Sequence, residues 1–294
     1  MKVKLMHSKN HEFKVGTFEC IVIKDAVNAY ENPVSLLFCN APQEQLTQIL
    51  QEHGIELEQW SEWVSPYICL LIKTGLHNVL VDTGIGSIFP PAQGDLMQRL
   101  KAIAIEPDDI DIVLITHAHG DHCGGNVDSE GMAAFKNARY IMHKAEWEFW
   151  TSENVLTQPQ NEWMVPVVNR NLEPLRDRFD LIEEDTRVVP GVELKCAPGH
   201  TPGHMVVLIS SGGEQLWYMS DAFLHPIHIE QPNWYAEVDI QPEQTVITRN
   251  SLLNKVGTGQ SLIQCFHFPY PGLGHIKRNR NGYQWHPLTI EEKE

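Results

Sequence analysis

The sequence predicts an α/β fold, and two observations support this prediction. Short segments of continuous apolar residues are typical of strands that are buried on both faces of a sheet. Stretches with a helical spacing of apolar residues lie between these segments, and interleaved strands and helices indicate a layered α/β structure. The predicted strands cover residues 67–72, 79–81, 110–115, 205–209, 216–219 and 262–266.

The predicted helices have recognisable ends. Residues 42–54 place apolar side chains on one face, and this segment opens after Pro42 and stops at Gly54. Residues 95–105 repeat the pattern, and a further helix is predicted to begin at Lys144.

A chain of 294 residues can bury a full hydrophobic core, and we expect one domain over residues 1–294. Within it, residues 31–66 and 144–187 are expected to be elaborations that form a pocket wall or a dimer contact. Both are rich in aromatic side chains, which could line a cleft for a lipophilic substrate or pack as ordinary core. These side chains are Phe38, Trp60, Trp63, Trp147, Phe149, Trp150 and Trp163.

Charge and composition exclude several classes of protein. The net charge of −16 argues against nucleic-acid binding, which needs clustered Lys and Arg, and the short basic run 276–282 is interpreted as a solvated turn. No apolar run approaches the roughly 20 residues of a membrane span, and the first residues lack the apolar core of a secretory signal. The six cysteines form no CxxC pair, so reduced thiols are expected, with Cys123 as a buried apolar residue. We therefore expect a cytoplasmic protein with no nucleic-acid or membrane partner.

The segment ITHAHGDHCGG, residues 115–125, places four metal-binding side chains directly after a predicted strand. His117 and His119 alternate in an extended segment, so both can face one ion. Asp121 and His122 lie on the turn that follows. Four ligands in one short loop cannot all enclose one tetrahedral ion without strain. They therefore predict two adjacent metal ions and further ligands from elsewhere in the chain.

Three other positions offer those further ligands. His200 lies in the loop CAPGHTPGH, Asp221 follows the strand LWYMS and could bridge two ions, and His267 ends the strand SLIQCF. We prefer His267 to His275, because a ligand at a strand end is better fixed in position. A single histidine is usually structural, but HxHxDH combined with PGHTPGH indicates a metal centre.

The two halves of the sequence also echo each other. In the first half one predicted strand ends at Asp82 and a later one at His117; in the second half the corresponding residues are Asp221 and His267. Loops at the ends of sheet strands are where α/β folds usually place their chemistry. We expect the four side chains to meet at one edge of a layered structure.

Five motifs occur in this order along the chain: LVDTG, THAHGDH, APGHTPGH, MSDA and the late strand-end histidine. This is the order of the five metal-site motifs of the metallo-β-lactamase superfamily, which the chain resembles from about residue 67 onwards. The resemblance implies a four-layer αββα sandwich with its site at one edge. It also implies that His117, His119 and His200 hold one metal, that Asp121, His122 and His267 hold the second, that Asp221 bridges them, and that Asp82 orients a ligand histidine from outside. In the family the first histidine of PGHTPGH is the ligand, so His204 is expected to be structural.

The expected cofactors are two divalent ions. Five imidazoles and two carboxylates favour Zn, and Mn, Fe, Co or Ni are also compatible. The resemblance implies hydrolysis by a hydroxide shared between the ions. The candidate catalytic residues are Asp121, Asp221 and His225, the last as a proton donor to the leaving group.

The substrate is predicted from the most similar branch of the family. FHFPYPGLGHI followed by NGYQWHPL resembles the closing stretch of the lactonase and methyl parathion hydrolase branch. Acyl-homoserine lactonases of this branch often carry Tyr three residues after the bridging Asp, where this chain has Leu224. We expect a small-molecule lactone or carboxylic ester as substrate, and a homodimer is compatible with the sequence. The alternative substrates are a phosphotriester and a glyoxalase II-like thioester. Two other kinds of protein are also considered: a mononuclear iron oxygenase, and a degenerate member of the family that binds a ligand or partner without catalysis.

Overall fold

Two mixed β-sheets face each other in the computed structural model, which describes residues 10–89, 93–280 and 282–288. The first sheet contains, from edge to edge, β1 (His11–Val15), β2 (Phe18–Glu31), β3 (Glu62–Lys73), β4 (Asn78–Val81), β5 (Ile112–Leu114), β6 (Arg139–His143) and β7 (Phe179–Ile182). The second contains β8 (Thr186–Val189), β9 (Val192–Cys196), β10 (Met205–Ser211), β11 (Glu214–Tyr218), β12 (Leu262–Gln264), β13 (Leu273–Asn279) and β14 (Gly282–Pro287). Spatial order follows chain order in both sheets, so each half of the described chain builds one sheet.

Short helices connect and cover the strands. They are α1 (Pro33–Leu37), α2 (Gln43–Glu52), α3 (Leu96–Ala102), α4 (Gly120–Cys123), α5 (Lys144–Trp150), α6 (Glu153–Leu156), α7 (Val165–Asn171), α8 (Ile227–Glu230) and α9 (Pro242–Val256). Within the described ranges, every helix is too short or too polar to cross a membrane.

Successive side chains of a strand point to opposite faces of its sheet, and this alternation produces four layers. In β3, Cys69 and Leu71 face a core shared with α3, α5 and α7, whereas Leu70 and Ile72 face the other sheet. In β10, Val207 faces the first sheet and the neighbouring Val206 packs on the side of α9. Because both sheets are covered on both faces, their central strands are continuously apolar. The predicted αββα sandwich is confirmed.

The six predicted strands and the three predicted helices are all present, with ends that differ by a few residues. The other eight described strands, which are β1, β2, β6–β9, β13 and β14, were not predicted. In β2, polar residues such as Lys24 and Asp25 interrupt the apolar pattern. The interpretation of 276–282 as a solvated turn was wrong for most of its length. Lys277 and Arg278 are exposed on β13, which pairs with β14, and residue 281 lies outside the described residues.

A smaller apolar cluster joins α1 and α2 to the segment that follows β11. Leu37 and Leu50 pack there with Leu224 and Trp234. This contact places residues 31–66 beside the ends of the central strands, where the candidate site lies.

Candidate metal centre

Seven of the predicted side chains converge at one edge of the sandwich, beyond the carboxyl ends of central strands. His117 follows β5, Asp221 lies in a short turn after β11, and His267 follows β12. β4 and β5 are parallel, as are β11 and β12, so residues that follow them emerge at the same edge. The strand-end residues of the two halves meet: Nε2 of His117 lies 3.8 Å from Asp221 Oδ2, and Nε2 of His267 lies 3.1 Å from the same oxygen.

The seven side chains form two groups, within each of which the potential ligand atoms lie within 4.8 Å of one another. The first group consists of His117, His119, His200 and Asp221, and the second of Asp121, His122 and His267. All are buried except Asp121, whose side chain keeps 16% of its surface exposed. The centre is therefore enclosed, with one carboxylate open towards solvent.

Asp221 lies between the two groups. Its Oδ2 is 3.3 Å from Nε2 of His200 in the first group, and its Oδ1 is 3.2 Å from Nε2 of His122 in the second. Oδ2 also faces His267 of the second group at 3.1 Å. One carboxylate therefore contacts imidazoles of both groups, which is the geometry that a bridging ligand needs.

The donor atoms fit divalent cations. The buried Nε2 atoms of His117 and His119 make no hydrogen bond. Leaving a buried polar atom unpaired costs about 1–3 kcal/mol, and a cation held by the first group would pair with both. Burial and the neighbouring histidines lower the pKa values of His117 and His119, so both imidazoles are neutral and have a lone pair available. Such a set of nitrogen and oxygen donors suits zinc and related ions.

Outer hydrogen bonds orient three of the histidines. Nδ1 of His122 lies 2.8 Å from Oδ2 of Asp82, the residue for which the family resemblance implies an orienting role. Nδ1 of His267 lies 2.8 Å from the Ser65 hydroxyl on β3. Nδ1 of His200 lies 2.9 Å from Oδ1 of Asp239. Each bond directs Nε2 of its histidine towards the centre.

Asp82 and Asp239 are both held in turn by other buried groups. Asp82 has the positive φ angle of 59° that L-residues rarely adopt, and Tyr218 donates its hydroxyl to Oδ2 at 2.9 Å. The Arg249 guanidinium lies 3.3 Å from Oδ2 of Asp239. Burial alone would raise the pKa of Asp239, but Arg249 and His200 outweigh it and bring the value to about 2. Sequence analysis missed Ser65, Asp239 and Arg249, since no motif marks them.

The other nearby candidates have different surroundings. His204 donates from Nδ1 to the Ala197 carbonyl and accepts the Asp221 backbone N–H at Nε2, so it is structural, as expected. His275 lies on β13, where its Nδ1 contacts the Ser261 carbonyl, and it belongs to neither ligand group. Cys123 is fully buried, and burial raises the pKa of its thiol. This agrees with its interpretation as a buried apolar residue.

His225 lies apart from the residues that line the site. Its ring packs against Phe38 and Trp60, with ring centroids 5.7 and 5.8 Å away, and its Nδ1 accepts the Ile227 backbone N–H. Burial lowers the pKa of His225 to about 3, so the ring is neutral at pH 7. Its predicted role as proton donor stays a prediction, and this placement does not favour it.

A cavity of about 680 Å³ opens onto the ligand groups. His119, Asp121, His200, Asp221 and His267 reach its surface. The apolar lining comes from Leu36, Trp63, Ile85, Phe89, Trp163, Leu224 and Val238, and the polar lining outside the ligand groups from Asn28, Tyr30 and Tyr67. Of the seven aromatic side chains considered from the sequence, Trp63 and Trp163 line this cavity, while the other five pack in hydrophobic cores.

Two tyrosines from the first sheet form the polar part of the cavity wall. The hydroxyls of Tyr30 on β2 and Tyr67 on β3 lie 2.6 Å apart. The Tyr67 ring contacts His267 with ring centroids 5.7 Å apart. Burial, followed by the nearby Asp121 carboxylate, raises the pKa of both phenols, so both stay protonated and can donate hydrogen bonds. Neither tyrosine was predicted as a site residue.

Comparison with known sequences gives a family match. Residues 65–264 match the model of the metallo-beta-lactamase superfamily, which covers more than half of the chain. An N-acyl homoserine lactonase from Bacillus sp is 32% identical over 165 residues, which are 50% of this chain and 59% of that protein. A second N-acyl homoserine lactonase, from Bacillus cereus, is 31% identical over the same length. The chain thus spans about 59% of the length of the curated relatives that it matches.

Comparison with solved structures covers nearly the whole chain. AidC, a dizinc quorum-quenching lactonase in complex with the product N-hexanoyl-L-homoserine, is 25% identical with a TM-score of 0.87, and the match covers 97% of this chain and 99% of that one. AbOPH, a hydrolase in the beta lactamase superfamily, is also 25% identical, with a TM-score of 0.85 and the same coverage.

Proposed function

Because the chain belongs to the metallo-β-lactamase superfamily, we propose that it is a metal-dependent hydrolase that acts on a lactone or carboxylic ester. The observation that carries this proposal is the pair of ligand groups that share Asp221 and open onto one cavity. A chain that only bound a ligand would have no reason to keep unpaired imidazole nitrogens buried at such a surface.

The proposed ligand roles follow the two groups. His117, His119 and His200 would hold one ion, Asp121, His122 and His267 the second, and Asp221 would contact both. When bound, two divalent ions would supply Lewis acidity and would lower the pKa of water enough to provide hydroxide at neutral pH. Zinc is the ion that we propose, because the donor set suits it and a structural neighbour is described as a dizinc enzyme.

The cavity lining supports attack by water instead of by a side chain. Among the described residues that line it, there is no serine, threonine, cysteine or lysine. A covalent mechanism through one of these four side-chain types therefore has no candidate there. Hydrolysis through water also gives the partly exposed Asp121 a second role, since its carboxylate can accept a proton from an incoming water molecule.

The cavity walls support an apolar substituent on the substrate. Trp163, Phe89, Leu36 and Val238 line the cavity, and among the lining residues that the structure describes, the polar side chains outside the ligand groups are Asn28, Tyr30 and Tyr67. Apolar walls with a few convergent polar groups are typical of small-molecule sites. We place lactones with an apolar substituent first among substrates, because several relatives are named as lactonases.

The test combines metal analysis with a panel of substrates. Purified protein loaded with zinc is assayed for metal content and for hydrolysis of acyl-homoserine lactones, γ-lactones, aryl esters, phosphotriesters and a glutathione thioester. We expect two ions per chain, with lactones or esters hydrolysed fastest. Stoichiometric metal without hydrolysis of any substrate would favour a binding protein, and one iron per chain would favour a mononuclear oxygenase.

A further inference from the structure

Glu146 on α5 is a fully buried carboxylate that belongs to neither ligand group. Its Oε1 accepts hydrogen bonds from the backbone N–H of Ala118 at 2.9 Å and from Nε1 of Trp150 at 2.8 Å. Its Oε2 accepts from the Thr201 hydroxyl at 2.6 Å and from the backbone N–H of Gly203 at 3.0 Å. The four bonds satisfy both oxygens, and every partner is a donor.

Three of the four partners of Glu146 lie in two ligand loops, and the fourth, Trp150, lies on α5 itself. Ala118 separates His117 from His119, while Thr201 directly follows His200. Each carboxylate oxygen therefore bonds one of these loops: Oε1 the loop after β5, and Oε2 the loop between β9 and β10. The two loops supply the three imidazoles of the first ligand group.

The loop that carries His200 is also packed too tightly to move without disturbing Glu146. A Cβ atom on Gly203 would lie 2.2 Å from the backbone nitrogen of Glu146, and one on Gly199 would lie 2.4 Å from the backbone nitrogen of Thr245 on α9. Residues 199–203 are thus held between α5 on one side and α9 on the other.

The second ligand group has further anchors of its own, although Asp121 and His122 lie in the same loop as His119. His122 is bonded to Asp82, and its carbonyl accepts the Thr83 backbone N–H at 2.7 Å. His267 is bonded to Ser65 on β3. None of these contacts passes through Glu146.

We propose that Glu146 is a positioning residue that sets the affinity of the metal ion held by His117, His119 and His200, by fixing the two loops that carry them against each other. This inference rests on the metal centre proposed above. It assigns to α5, which the sequence places in a pocket or dimer elaboration, a role in building the centre itself.

The hydrogen-bond donors around Glu146 determine which substitutions test its role. Glutamine has nearly the same shape as glutamate, but its NH₂ group would face a backbone N–H, that of Ala118 or that of Gly203, whichever way the amide turns. The Glu146→Gln variant should therefore release one of the two loops while the volume of the side chain is kept. Thr201→Val removes a single donor, and Thr201→Ser keeps the hydroxyl and serves as the matched control.

The experiment measures zinc affinity by competition with a chelator in two backgrounds that each retain one ligand group. His267→Ala keeps the first group complete, and His200→Ala keeps the second. We expect Glu146→Gln to weaken zinc binding about 10–100-fold in the His267→Ala background, as changes to outer contacts of metal ligands typically do. In the His200→Ala background we expect a change of less than about threefold.

Thr201→Val and Thr201→Ser are compared in the His267→Ala background, with thermal unfolding of the metal-free proteins measured in parallel. Weaker zinc binding by Thr201→Val, restored by Thr201→Ser, supports the inference even where Glu146→Gln folds poorly. Equal weakening in both backgrounds, or unchanged affinity in the His267→Ala background, would overturn it. Titration of the unaltered protein comes first, and an absence of zinc binding there would overturn the proposed metal centre together with this inference.

Discussion

Nδ1 of His200 lies 2.9 Å from Oδ1 of Asp239, and neither side chain is accessible to solvent beyond a few per cent of its surface. The carboxylate can only accept, so the imidazole donates from Nδ1 and presents Nε2 to Asp221, 3.3 Å away. Asp239 is itself paired with the fully buried Arg249. The orientation of one candidate ligand therefore depends on an ion pair formed by residues that no metal motif contains.

Asp239→Asn should weaken both the fold and the metal centre. It leaves the buried Arg249 guanidinium without its carboxylate, and breaking a buried ion pair costs about 3–5 kcal/mol. We expect a loss of that size in the free energy of unfolding of the metal-free protein, measured with urea. Zinc affinity should also fall about 10–100-fold, because His200 loses a charged partner.

A surface ion pair provides the control for Asp239. Arg139 and Asp180 lie 2.6 Å apart, and both side chains are more than half exposed. Exposed pairs contribute about 1 kcal/mol or less, so Asp180→Asn should change the free energy of unfolding by no more than that. Similar losses for Asp180→Asn and Asp239→Asn would contradict the importance of the buried pair.

The second ligand group makes Asp121 a test of the dinuclear proposal. Its carboxylate lies 3.5 Å from Nε2 of His267 and 3.9 Å from Nε2 of His122. Without it the second group retains only two imidazoles and the shared Asp221. We expect Asp121→Ala to bind one ion per chain instead of two by elemental analysis, and to lose turnover by at least about 100-fold. Full turnover in this variant would show that the second ion is not needed.

Local patterns in the sequence were sufficient for the α/β class and for the ligand candidates, whereas the four-layer sandwich was implied by the family resemblance. Continuous apolar runs such as the one in β5 mark strands covered on both faces, and HxHxDH places several ligands in one loop. Ser65, Glu146 and Asp239 carry no such pattern. Each is a single polar residue in an otherwise ordinary segment, and its function arises only when tertiary packing buries it against a histidine or a ligand loop. The periodicity of the sequence cannot show which of the many carboxylates will be buried by the fold.

Because two tyrosines lie in the cavity wall, we expect the effect of removing one of their hydroxyls on kcat to depend on the leaving group of the substrate. An alkoxide leaving from a lactone needs a proton or a hydrogen bond, whereas 4-nitrophenolate leaves from an aryl ester without one. The ring of Tyr67 lies in the wall beside His267, and its hydroxyl is bonded to that of Tyr30. We expect Tyr67→Phe to lower kcat on a lactone about 100-fold and to leave kcat on a 4-nitrophenyl ester within about threefold.

Tyr30→Phe separates direct donation from support of Tyr67. It removes the partner of the Tyr67 hydroxyl but leaves that hydroxyl in place, so its effect on lactone turnover should be smaller. Equal losses on both substrates in Tyr67→Phe would instead indicate that the hydroxyl supports the site as a whole and not the leaving group, because the variant keeps the aromatic ring beside His267. The ratio of the two kcat values is therefore the measurement that decides between these roles.

The buried His225 should make the free energy of unfolding depend on pH in the acid range. Burial lowers its pKa from 6.5 to about 3, so the folded protein binds fewer protons there than the unfolded chain between these pH values. Stability is therefore lost as the pH falls from 6.5 towards 3, by up to about 1.4 kcal/mol per pH unit for each such group. His204, whose pKa burial also lowers to about 3, should contribute in the same direction.

His225→Asn removes this titration while keeping an acceptor for the Ile227 N–H. Urea unfolding of the metal-free protein from pH 7 to pH 4 should show a shallower loss of stability in the variant, with the contributions of His204, His117 and His119 remaining. Turnover at pH 7 should stay within about threefold, because the ring packs against Phe38 and Trp60 outside the cavity lining. A loss of lactone turnover as large as that expected for Tyr67→Phe, with unchanged acid sensitivity, would instead make His225 the proton donor that the sequence suggested.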